Sequence, residues 1–161
     1  MKAPKFPTNE EERLIAVKSY SIIDTLPESD YDNLTELAAT ICDVPIALIT
    51  ILDKQRNFFK SHYGISFNES PRELSFCGHA ILEDDIFIVN DAREDIRFVD
   101  NPLLEEQNVV FYAGVPLLDP SGFKLGTICI FDHIPRELSE SQIKALKTLG
   151  KQVVNLLELR K

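Results

Sequence analysis

Cys77-Gly78-His79 is the segment whose residue types could do chemistry, because a thiol and an imidazole close together can lower a cysteine pKa or bind a metal. The spacing is wrong for the usual metal pairs on a helix. The plainer reading is a small buried thiol beside a hydrogen-bonded histidine, since free cysteine is among the most buried residue types. Arg93, Arg97 and Lys60 carry the charge a phosphate would need, although arginines in a charged loop are more often solvated. An axial ligand for haem would have to be His62, His79 or His133. A lone histidine more often has a local hydrogen-bonding role. Phe59, Tyr63, Phe111 and Tyr112 are candidates to line an apolar pocket, with plain core as the competing reading. Asp53, Asp91, Asp119 and Asp132 fall at strand ends or turns, where capping of backbone amides is the simple role. No Gly-rich phosphate loop, catalytic carboxylate pair or Ser-His-Asp order stands out, so neither a catalytic set nor a metal site is assigned.

These residues sit in a chain of 161 with 44% hydrophobic content, enough to bury one core without staples. The formal charge of -9 disfavours nucleic acid or an anionic membrane as a direct partner. The three cysteines, Cys42, Cys77 and Cys129, are far apart in sequence, with no CxxC pair, which fits a reducing cytosol. Met1 to Thr8 lacks the apolar run of a signal peptide, and no apolar stretch reaches the roughly 20 residues that span a bilayer. A cytoplasmic location is the expectation.

The positioning elements follow from periodicity and caps. Thr8-Asn9-Glu10-Glu11 reads as a capping box, followed by a helix of about four turns whose stripe is Ile15, Ser19, Ile22 and Ile23. A second helix begins near Ser29, with Leu34, Leu37, Ala38 and Ile41 at the spacing of a buried face. Residues 46–52 form a β-branched apolar strand, and 56–63 an antiparallel partner. In that partner Phe59, Ser61 and Tyr63 lie on one side and Phe58, Lys60 and His62 on the other. Residues 68–74 read as loop, Ser75 caps a short helix through Leu82, and 86–89 is a short strand. The charged stretch 90–108 is a candidate binding loop or lid. Residues 109–118 and 123–131 form a hairpin across Asp119-Pro-Ser-Gly122. Ser139-Glu-Ser-Gln142 is a second capping box, opening a helix with Leu146, Leu149, Val153 and Leu156 as its seam. Hairpin rather than crossover connections make this α+β with an antiparallel sheet, a ligand pocket lying between the sheet and the long loop.

The stretches VPIALITILDKQRNFFKSHYG, LSFCGHAI, FIVNDAREDIRF and FYAGVPLLDPSGFKLGTICIFD, in that order, resemble the GAF domains at the front of bacterial sensor histidine kinases and diguanylate cyclases. The likeness covers about residues 12–160 of what reads as a single domain, 1–161. It implies a GAF-like, profilin-like antiparallel sheet of five or six strands. The N- and C-terminal helices would pack on one face as a dimerisation surface, with a ligand pocket on the other. The family uses that pocket for cyclic nucleotides, bilins, haem or small metabolites, and some members bind nothing, so the cofactor is left unnamed. In that likeness Asp91 followed by Arg97-Phe98 resembles a loop anchor in which the aspartate holds backbone amides and the aromatic plugs the pocket floor.

Three special cases of the family depart from this sequence. Bilin-binding members attach the chromophore through a cysteine directly followed by histidine, whereas Gly78 intervenes here. Members that reduce free methionine sulfoxide use a Val-Cys-Gly segment, which Cys77-Gly78 resembles, and an attacking cysteine in the later loop, where 91–108 has none. The Asn-Lys-Phe-Asp-Glu signature of cyclic-nucleotide binders is not recognisable.

The expectation is therefore a sensory module in a bacterial signalling or two-component system, not itself an enzyme. Its pocket candidates are Phe59, Tyr63, Cys77, His79, Asp91, Arg97, Phe98, Phe111 and Tyr112. Its dimer-interface candidates are Leu146, Leu149, Val153 and Leu156. Its partners would be an unidentified small molecule, a second copy of the chain and a C-terminal output domain reached through a continuing helix. A ligand-free dimerisation module and a methionine sulfoxide reductase-like enzyme are the alternatives.

Overall fold

Six strands form one antiparallel sheet in a computed structural model that describes residues 1–161. The strands are β1 (Ile46–Leu52), β2 (Arg56–Tyr63), β3 (Glu69–Pro71), β4 (Phe87–Val89), β5 (Phe111–Leu118) and β6 (Lys124–Asp132), and their spatial order is β3-β2-β1-β6-β5-β4. On one face lie α1 (Glu10–Ser19), α2 (Ser29–Cys42) and α5 (Glu140–Glu158). On the other lie the short helices α3 (Phe76–Ala80) and α4 (Pro102–Glu106), with 3₁₀ turns at Arg72–Leu74 and Ala92–Glu94. This is the expected α+β architecture. The central strand β1 is buried throughout, and β6 everywhere but at its first residue, Lys124, because both faces of the sheet are covered. The β5–β6 turn forms as read: Gly122 takes φ +92°, and Asp119 Oδ1 accepts from the Ser121 and Phe123 amides.

Each helix departs from its sequence reading in an instructive way. α1 is ten residues long rather than four turns, and Asn9, not Thr8, stands at its N-cap without a side-chain bond. Its inward face is Arg13, Ala16 and Val17, while Ile15 is 69% exposed. Arg13 is buried because its guanidinium serves the ends of the central strands, donating to the Leu52, Lys124 and Leu125 carbonyls and to Glu10. Glu10 also accepts from Arg72 at 2.6 Å, so one carboxylate joins two buried arginines.

α2 begins at Ser29 as expected, but its buried face is Tyr31, Thr35, Ala38, Ala39 and Cys42. Leu37 and Ile41 turn outward. Small residues let the helix approach the sheet closely enough for Thr35 Oγ1 to meet Ser61 Oγ at 2.8 Å. That contact is possible because of a bulge in β2: Ser61 pairs with Ile49 and Phe59 with Thr50, leaving Lys60 as the extra residue. Phe59 and Ser61, expected on one side, therefore face opposite ways. Residues 68–74 are not simple loop, since β3 adds a short edge strand to β2.

α5 carries the complete capping box at Ser139 and Gln142. Its seam, expected at a dimer interface, is consumed inside the chain. Leu146, Leu149 and Val153 are buried with Leu157 in the helix-side core, and Leu156 is half-buried against it. Gly150 brings the helix close to β5, where an added Cβ would meet Val115 Cγ1 at 3.2 Å.

Candidate functional site

A small apolar cavity of about 50 Å³ lies on the lid side of the sheet. Its floor is Ile46 and Leu48 of β1, Asn57 and Phe59 of β2 and Phe131 of β6. One wall is the start of α3, with Ser75, Phe76 and Cys77, and the roof includes Leu103 of α4 and Gln107 just after it. Strand alternation explains the floor: positions 46, 48, 129 and 131 share one face while 47, 49, 128 and 130 share the other. Ser75 orients α3 by accepting from the Gly78 amide, and Asn101 fixes α4 by accepting from the Leu103 amide while donating to the Leu74 carbonyl.

Asn57 is the unusual member of this lining. It is 2% exposed, and its Oδ1 has no hydrogen-bond partner. Leaving a buried acceptor unpaired costs about 1–3 kcal/mol, so the amide is held for something other than the stability of the empty fold. The other such atom, Tyr31 Oη, lies on the helix side, away from this cavity.

Of the sequence-derived pocket candidates, Phe59 and Cys77 line the cavity. Phe98 is fully buried and stacks on Phe76 with ring centroids 4.2 Å apart, which places it behind the wall. Tyr112 is also behind it, its hydroxyl donating to Cys77 Sγ at 3.3 Å. Gly114 makes that bond possible, because a Cβ there would come within 2.1 Å of the Tyr112 hydroxyl. Phe111, the neighbour of Tyr112, belongs to the helix-side core, since adjacent residues of a regularly paired strand face opposite ways. Tyr63 is exposed at the end of β2, and His79 is outside the lining, its ring edge-on to Phe98 and its Nε2 3.1 Å from the Lys2 carbonyl.

The charged candidates are all committed elsewhere. Asp91 caps the turn at Ala92–Glu94 and accepts from Arg93, and Asp95 does the same for Arg97 at 2.7 Å. Each arginine thus faces a carboxylate two residues back. Lys60 is buried on the helix side, donating to Thr25 Oγ1, the Leu26 carbonyl and Glu28. No charged residue lines the cavity, so a phosphate there would be desolvated without a partner. His62 and His133 donate to the Ile65 and Asn108 carbonyls, and no histidine reaches the lining as a haem ligand. No group of three or more His, Cys, Asp or Glu side chains could hold a metal.

Where that wall meets the sheet lies a pair the sequence did not announce. Cys77 Sγ and Cys129 Sγ are 3.8 Å apart, both fully buried. Thr127 Oγ1 donates to Cys77 Sγ at 3.3 Å and in turn accepts from Thr50 Oγ1 at 2.8 Å. Burial pushes the Cys77 thiol up, but the hydrogen bonds from Cys129, Thr127 and Tyr112 outweigh it and hold it below the usual thiol range. Burial and the neighbouring Cys77 push Cys129 well up. Cys42, on the helix side, is raised to about 11 by burial.

With this geometry in hand, comparison with known proteins is decisive for the family. The GAF domain family model matches residues 27–157. The chain belongs to the GAF family. A cyclic di-GMP phosphodiesterase of Pseudomonas aeruginosa is 35% identical over 156 residues; the match takes in 96% of this chain and 27% of that protein, so the chain spans about a quarter of its relative. Among solved structures, the GAF domain of an Acinetobacter phosphoenolpyruvate-protein phosphotransferase is 18% identical with a TM-score of 0.67, covering 96% of each chain. A free methionine-R-sulfoxide reductase from Thermoplasma acidophilum is 14% identical with the same TM-score, covering 89% of this chain and 96% of its own. Both establish the fold alone. In this GAF domain the sequence missed Asn57, Phe76, Phe131 and the β1 residues Ile46 and Leu48. An unbroken apolar run such as 46–52 does not reveal which alternate residues face a pocket. Asn57, a polar residue next to the aromatics of β2, was the one available signal. No helix of the chain is long and apolar enough to cross a membrane.

Proposed function

We propose that this GAF domain is a cytoplasmic regulatory input module whose cavity takes a small, uncharged, largely apolar ligand, and which reports occupancy to a linked signalling enzyme. The observation that carries the reading is Asn57 Oδ1, an unpaired acceptor in a lining where ten of fourteen residues are apolar. The ligand supplies a hydrogen-bond donor to it. A volume of about 50 Å³ admits only a few heavy atoms. Anything larger needs α4, none of whose residues is buried, to lift on its Asn101 anchor.

The likeness to a phosphodiesterase over 96% of this chain favours cyclic di-GMP turnover over a histidine kinase as the linked output. Homodimerisation is part of the proposal, through apolar residues that the core does not use. Ile15 lies beside the end of α5 in one depression, and Leu159 is exposed on the last turn. Ile15→Ser with Leu159→Ser should halve the native mass, and an unchanged dimer removes this surface from the interface.

Native mass spectrometry of protein purified from its own cytosol tests the ligand. A stoichiometric uncharged species that is lost in Asn57→Leu supports the proposal. An empty wild-type cavity, together with no thermal shift across a panel of small uncharged donors, overturns it.

A further inference from the structure

We propose that Cys77 and Cys129 form a redox-active dithiol which a hydroperoxide entering the cavity converts to a disulfide. Three independent features converge here. The two sulfurs are in contact at 3.8 Å, and closing them to a bond requires an approach of about 1.8 Å. Cys77 is a wall residue of the cavity, whose volume of about 50 Å³ exceeds what a molecule the size of hydrogen peroxide needs. The hydroxyls of Tyr112 and Thr127 both donate to Cys77 Sγ, and Thr50 orients Thr127, an arrangement that favours thiolate over thiol. Cys42 lies in the core on the opposite face of the sheet and has no such neighbours.

The roles follow from access. Cys77 Sγ attacks the terminal oxygen of the hydroperoxide; the S–O bond forms, the O–O bond breaks, and the alcohol or water leaves with the thiol's proton. Cys77 is then a sulfenic acid. Cys129 attacks that sulfur; the S–S bond forms, the S–O bond breaks, and hydroxide leaves with the Cys129 proton as water. Two thiols and one hydroperoxide thus become a disulfide, an alcohol or water, and a further water. An external dithiol reverses the change. The disulfide ties α3 to β6, and since Ser75 and Phe76 share the wall with Cys77, oxidation reshapes the cavity. The inference does not depend on the ligand reading, because it is read in sulfur chemistry alone.

The test uses the reduced full chain treated with one to a few equivalents of hydrogen peroxide, then denatured, alkylated and mapped. Expected is loss of two of the three thiols, a Cys77–Cys129 linked peptide, alkylated Cys42, and full recovery with dithiothreitol. Cys129→Ser should stop at a dimedone-reactive sulfenic acid on Cys77, and Cys77→Ser should consume no peroxide. Cys42→Ser should behave as wild type. Three alkylatable thiols after treatment, or a linkage involving Cys42, overturns the proposal. The wild-type map decides even if a cysteine variant fails to fold.

Discussion

The two faces of the sheet are built on different terms. The helix side gathers 24 buried apolar residues from three helices and the sheet, and its buried charges, Arg13 and Lys60, are spent on carbonyls and carboxylates. The lid side gathers 16, rich in stacked aromatics, and is covered by two five-residue helices. It alone keeps a cavity with an unpaired amide in its floor and two thiols in contact. The helix side also leaves one buried group unpaired, Tyr31 Oη, but only the lid side sets its unpaired group against a cavity.

Phe111 and Tyr112, adjacent in β5 but on opposite faces, give the sharpest way to break that contrast. Phe111→Ala should cost about 3–5 kcal/mol in denaturant unfolding while leaving the reactivity of Cys77 per folded molecule unchanged. Altered thiol chemistry in that variant would mean that the two faces are coupled. Next in size is Glu10→Gln, which leaves Arg13 and Arg72 without their shared carboxylate and should cost about 2–3 kcal/mol. Burial raises the Glu10 pKa, but the bonds from Arg13 and Arg72 overcome this and hold it below the usual glutamate range. Its contribution is therefore present above that range and is lost as pH falls through the lowered value. Wild type should lose more stability than Glu10→Gln between pH 5 and about pH 3, measured by urea midpoint.

Tyr112→Phe removes one donor to Cys77 Sγ and should cost only about 1 kcal/mol, yet it should raise the pH at which Cys77 becomes reactive toward a thiol reagent. An unchanged profile would confine the tyrosine to packing. The smallest effect has the opposite sign. Asn57→Leu should be neutral or stabilise the chain by up to about 1 kcal/mol, because it removes an unpaired buried acceptor, while abolishing ligand uptake. Clear destabilisation would give Asn57 a structural role and remove the argument for a ligand.

Much of the frame was legible beforehand. The β5–β6 turn, the Ser139 capping box and the Ser75 cap depend on residues within four positions of one another, and each formed as read. Faces were less legible. The outward turn of Leu37 and Ile41 came from close packing of Ala38 and Ala39 on the sheet, and the opposed directions of Phe59 and Ser61 came from one bulge. The α5 seam has the period of an interface, but period alone does not say whether a sheet or a second helix covers it.

By itself, then, the sequence determined what local rules control: the order of the main elements, though not the edge strand β3, together with the antiparallel class and the GAF resemblance. Only the tertiary structure decided which residues meet. Cys77 and Cys129 are 52 positions apart, and Asn57 is left unpaired because of what the strands, α3 and α4 place around it. Caps and turns are short-range geometry, whereas a site is the sum of side chains that separate strands happen to point the same way.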